Sequence, residues 1–292
     1  MHPTPWKGQL MYALTNTTAT RAPETARQGW TPSISHGEQP ARPAHDRALP
    51  QLGLRGIIGV WAAAALPMGL LAWVVAPLIA DQLSGPGALS RALIISLAAG
   101  LAWQFVLVMG LVAREQGTLR WSVLKDALWL RAPRAPRTGR RGGRVWLVVP
   151  LLAVALAAEE LVPGFGMPAG RDLAKFLDSD VGHSLLSGAW GWFAVLVAMF
   201  VFNTVLGEEL LFRGFLLPRM NGVFGRRDWV ANGVLFAIYH LHVPWVIPAG
   251  LLDTFILAGP SKRYRSALIG IAVHSAQSVL FIALVLSLTL NV

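Results

Sequence analysis

Beyond residue 55 the chain is a succession of long apolar runs separated by short polar or basic connections. The runs cover residues 57–80, 92–113, 145–158, 185 to the low 210s, 229–241, 243–257 and 267–290. A membrane helix needs about 20 mostly apolar residues, and several of these runs reach that length. Pro67 and Pro77 in the first do not argue against a helix, because neighbouring helices re-satisfy the freed backbone groups in a bundle. The pattern predicts an all-α, polytopic transmembrane helical bundle of about seven spans. Seven or eight is the range, since residues 229–241 are short for a crossing.

The connections carry the orientation. Residues 114–144 hold nine Lys or Arg against Glu115 and Asp126, and Arg219, Arg226, Arg227, Lys262, Arg263 and Arg265 mark two further basic turns. Residues 161–183, with Asp172, Asp178 and Asp180, lean acidic. The positive-inside rule then places the basic connections and the N-terminus in the cytoplasm. Within 114–144, residues 119–130 read as an amphipathic helix at the head groups, followed by a flexible Arg/Pro/Gly stretch. Trp121, Trp129, Trp190 and Trp192 read as interfacial anchors. Residues 1–55, rich in Pro, Thr, Ala, Gly and Arg, read as a disordered cytoplasmic tail. The remainder divides into N-terminal transmembrane helices with the basic loop (56–184) and the helices bearing polar motifs (185–292).

Composition agrees with a multi-pass protein of the cell membrane. Of the 292 residues 54% are hydrophobic and 14% charged, against about 25% charged in average globular proteins, and the mean hydropathy is +0.51. The formal charge of +10 sits mainly in the connections, which points to membrane lipids and not to nucleic acid as its partner. With no cysteine in the chain, disulfides, a thiol nucleophile and thiolate metal ligands are excluded.

Residues 201–217, Val-Phe-Asn-Thr-Val-Leu-Gly-Glu-Glu-Leu-Leu-Phe-Arg-Gly-Phe-Leu-Leu, break the lipid-like pattern. One charge at the centre of a membrane helix costs about 2.5–3.5 kcal/mol on insertion scales, so Glu208, Glu209 and Arg213 must face protein or water. Glu209 and Arg213 are four apart and share a helix face, so they can neutralise each other. Glu208 lies about 100° round the helix from Glu209 and is a candidate general base. A packing cluster or a transporter's proton relay is the plainer reading of these three residues. Later helices add His240 and His274, with Gln277 and Ser278 beside the latter. A Glu with two His is one ligand set of hydrolytic zinc sites; the same set serves without metal, with Glu208 as base and the histidines stabilising an oxyanion. Glu159 and Glu160 read as interfacial, His183 as solvated, and His242 as pointing nearly opposite to His240.

Gly207-Glu-Glu-Leu-Leu-Phe-Arg-Gly-Phe-Leu-Leu-Pro-Arg219 resembles the first motif, Glu-Glu-x-x-x-Arg, of the CAAX-processing and bacteriocin-processing (CPBP, or Abi) intramembrane proteases. Phe236-Ala-Ile-Tyr-His240 resembles the second, Phe-x-x-x-His. The third, His followed four residues later by Asn, matches at His274 but has Ser278 for Asn. The resemblance covers roughly residues 190–285. It implies a type II CAAX prenyl endopeptidase-like protease in which Glu208 activates water, alone or through one divalent metal such as zinc held by Glu208, His240 and His274. His240 would assist, Arg213 paired with Glu209 would brace the helix, and His274 with residue 278 would hold the oxyanion. It also implies a protein or peptide substrate, prenylated or bacteriocin-like. A non-catalytic scaffold or bacteriocin self-immunity protein retaining the motifs is the alternative. A proton-coupled transporter would show an internal repeat and paired broken helices, and the sequence has neither.

Overall fold

A computed structural model describes residues 49–291; the expected tail up to residue 48 lies outside the described residues. Among these the chain is helical, with one isolated antiparallel bridge, Arg134 to Arg141, and no named strand. Four helices are long and apolar enough to cross a membrane: α1 (Leu54–Ala80), α2 (Ala88–Gln116), α5 (Trp190–Arg219) and α8 (Ala267–Leu290). Between α2 and α5 come α3 (Trp121–Ala127) and the short apolar α4 (Gly143–Ala157). Then α6 (Asp228–Tyr239) and α7 (Gly259–Tyr264) lead into α8.

Four of the expected spans thus appear as long helices, two are shorter helices, and one is broken into turns. Residues 243–257 in particular are no continuous helix. They form a 3₁₀ turn (Pro244–Val246), a single α turn (Ile247–Gly250) and a π turn (Thr254–Ala258). Pro244 explains the first break, since proline removes an N–H and biases its predecessor toward extended backbone; Val243 accordingly has φ −141°.

The outside of the bundle is apolar, as a lipid-facing surface requires. Leu66, Leu78, Leu151, Val154 and Leu280 are each at least 60% exposed. The inside joins the polar groups. Helix α8 packs on α4 and on the N-terminal part of α5, α2 packs on the π turn inside α5, and α6 packs on residues 254–258. Indole donors stitch α1 to its neighbours: Trp61 to the Leu235 carbonyl at 2.8 Å, Trp73 to Leu241 at 2.8 Å. Arg219, expected in a basic cytoplasmic connection, is fully buried. It grips both carboxylate oxygens of Glu115 at 2.7 Å and donates to the Ala127 and Phe215 carbonyls. That fork joins the end of α5 to α2 and α3, a pairing of the kind only a planar guanidinium makes.

Candidate active site

The charged motif lies on an over-wide piece of helix. Phe202–Gly207 and Leu210–Leu216 are π turns, with Glu208 and Glu209 between them; such turns concentrate at functional sites. Gly207 allows the wide turn, because a Cβ there would press on the Phe202 carbonyl. The expected pair forms: Arg213 Nη1 donates to Glu209 Oε1 at 2.9 Å, with both side chains fully buried. The guanidinium also stacks on Phe236, 4.0 Å from its centroid.

Glu209 has a second partner that spacing on one helix could not reveal. His274 Nδ1 meets the same Oε1 at 3.1 Å. The Arg-paired carboxylate only accepts, so Nδ1 carries the proton and Nε2 is left for other work. Gly270, one turn before His274, is bare for a reason: a Cβ would collide with Glu209 Oε2. The Arg213–Glu209–His274 chain therefore fixes α8 against α5.

Glu208 is directed elsewhere, 2% exposed, within electrostatic reach of the Tyr239 hydroxyl. The Tyr239 oxygen in turn accepts from the Gln104 amide on α2. His240 terminates α6, and its Nδ1 meets the Phe236 carbonyl at 3.0 Å. A carbonyl only accepts, so the neutral ring keeps Nε2 as an acceptor. Phe236 packs edge-on against both His240 and His274, at 4.9 and 6.3 Å between centroids.

These groups share one cavity of about 590 Å³, whose wall includes Glu208, His240, His274, Gln277, His242 and Asp253. Three expectations change here. His242 does not point away from His240: the rings stack at 5.4 Å and 28°, because the helix has ended at Tyr239 and helical angles no longer apply. Glu159, read as interfacial, also lines the cavity. Ser278 does not. It is buried with its hydroxyl 3.3 Å from Thr204 Oγ1, and Gln277 takes the place on the wall. Arg171 lines the cavity as well; it lies 4.0 Å over Trp73 and donates to the Ala72 carbonyl, while burial holds its guanidinium below the ordinary value.

Among the described residues no three His, Asp or Glu side chains stand so as to hold one metal ion. Glu208, His240 and His274 line one cavity without closing into a ligand cluster.

Residues 189–280 match the Rce1-like family, described as type II CAAX prenyl endopeptidase Rce1-like. That segment of the chain is similar to an Rce1-like domain. The match covers α5 through most of α8 and leaves α1–α4, with Gln104, outside it. It includes every residue of the motif set and supports a CAAX-type intramembrane protease family. No match was found among curated proteins or solved structures.

Proposed function

We propose that this protein is an intramembrane endopeptidase that hydrolyses a peptide bond of a membrane-associated protein or peptide. The observation that carries the reading is a buried carboxylate, Glu208, facing a cavity within the Rce1-like segment together with two histidines whose Nδ1 atoms are both engaged. A water held between Glu208 and His240 Nε2 loses its proton to Glu208 as its oxygen attacks the scissile carbonyl carbon. His274, carrying a proton on Nε2, and the Gln277 amide donate to the oxyanion that develops. Glu208 then returns the proton to the departing amine as the C–N bond breaks. Glu209 and Arg213 position His274 and touch no reacting atom.

This assignment moves the amide donor from position 278 to position 277. Gln277→Ala is expected to lower kcat by about a hundredfold to a thousandfold, in the range of a lost oxyanion donor. Ser278→Ala should leave kcat within about threefold, well under 1.4 kcal/mol of barrier. Equal losses, measured with the same peptide, would return the role to Ser278.

The family points to a prenylated substrate, with a bacteriocin-like peptide as the second class. The test is the purified protein in lipid nanodiscs, given a membrane-anchored peptide bearing a C-terminal prenylated cysteine and its unprenylated counterpart. Mass spectrometry should find one new C-terminus from the prenylated peptide. A folded protein that cleaves neither that pair nor a bacteriocin-like leader peptide would be the scaffold or self-immunity protein of the alternative.

A further inference from the structure

The stretch after α3 is not the flexible arm its Arg/Pro/Gly composition predicts. Residues 132–142 close into a hairpin: Gly142 N donates to the Pro133 carbonyl at 2.8 Å, Ala135 N to Arg140 at 2.8 Å, and Gly139 N to Ala135 at 2.9 Å. Its arginine side chains brace it, Arg134 Nε to the Gly139 carbonyl and Arg141 Nη1 to Ala132, both at 3.2 Å. The hairpin segment is then docked onto the turn between α7 and α8. Arg134 N donates to the Tyr264 carbonyl at 2.8 Å, Ala267 N to Trp129 at 3.0 Å, and Ser266 Oγ to Arg131 at 2.6 Å.

This docking gathers like charge. Arg131, Arg134 and Arg265 all lie within electrostatic reach of Arg141, whose guanidinium is held below its usual value by burial first and by those three neighbours next. Asp126, the acid acting on Arg141, already pairs with Arg131. Arg134, Arg141 and Arg265 are exposed. Two non-glycine residues at this junction, Trp129 and Arg265, adopt left-handed backbone with φ 49° and 50°, an uncommon conformation for bulky side chains. The backbone sets Arg134 opposite Arg141 and against Tyr264, the neighbour of Arg265, and among the described residues Asp126 is taken by Arg131; arginines gathered at a strained junction in this way fit an anion that joins the assembly from outside.

We propose that Arg134, Arg141 and Arg265 form a binding site for the phosphate of an anionic phospholipid headgroup. The lipid, as the source of that phosphate, follows from the flanks. Trp121 before the hairpin is 63% exposed and Leu147 after it 70% exposed. Such side chains seek the boundary between head groups and acyl chains, which holds the guanidinium forks at phosphate level. The site is independent of the peptidase reading, although it abuts the first turn of the helix that carries His274.

The purified full-length protein, equilibrated with equal amounts of phosphatidylglycerol and phosphatidylcholine in detergent, is examined by native mass spectrometry. Phosphatidylglycerol should be retained in preference by about tenfold, as expected for a few charges near an anionic surface. Arg134→Gln/Arg141→Gln/Arg265→Gln should bring the preference near unity, while Arg226→Gln/Arg227→Gln should keep it. Arg265→Gln alone, which leaves the hairpin's own bonds in place, should lose part of it and keeps the test decisive if the triple variant folds poorly. A triple variant with undiminished preference, or an equal loss in the Arg226/Arg227 control, overturns the site. Inorganic phosphate displacing the lipid fully at millimolar concentration would assign the site to a free anion instead.

Discussion

Glu208→Gln is expected to abolish peptide hydrolysis, with a loss of about a thousandfold or more, within the range that positioned acid–base groups contribute. The amide preserves the volume of the side chain beside Tyr239, so the Gln104–Tyr239 bond next to it stays intact. It cannot take a proton from water. Folding, measured as melting temperature, should therefore change little while kcat collapses, and substrate should still bind. His240→Ala and His274→Ala should also be severely impaired, and combining either with Glu208→Gln should cost little more, because groups serving one reaction centre do not add. A chelator separates two versions of the chemistry: an unchanged rate fits carboxylate activation of water, and loss restored by zinc would place a metal at Glu208. Parental cleavage by folded Glu208→Gln protein would remove Glu208 from the role of base.

Much of this site is legible in the sequence because charge inside an apolar run is costly enough to mark itself. Glu208, Glu209, Arg213, His240 and His274 stand out for that reason, and four long spans follow from apolar length alone. Other parts are hidden for identifiable physical causes. Tyr239 reads as one more aromatic among apolar neighbours, and its partner Gln104 is 135 residues distant in sequence. The place of His242 depends on where α6 stops, and helical spacing misleads once the chain has passed Tyr239. Whether position 277 or 278 meets the cavity is a question of rotation about α8, fixed by the packing of Ser278 on Thr204. Arg219 resembles any basic residue at a span end until Glu115, 104 positions earlier, is brought against it. Composition likewise misreads residues 132–142, because it cannot anticipate the backbone bonds that close them into a hairpin.

Arg213→Ala is expected to destabilise the fold more than any other single change at the site. Glu209 and Arg213 are both fully buried, and removing one partner of such a pair costs about 3–5 kcal/mol, since the other charge is left without compensation. The same change removes the cation stacked on Phe236, the ring that packs against His240 and His274. Poor accumulation and a melting temperature several degrees lower are the expected results. Replacing both partners, Glu209→Gln with Arg213→Met, should restore much of that stability, because a neutral amide and a linear apolar chain fill the space without a buried charge. Activity should not return with it. Glu209 also accepts the Nδ1–H of His274, and a neutral Gln there neither fixes the orientation of the ring nor balances the charge of a ring that also carries a proton on Nε2. The double variant should thus melt near the parent yet retain a small fraction of its kcat. An Arg213→Ala protein as stable as the parent would refute the buried pair, and full activity in the stable double variant would remove Glu209 from the positioning of His274.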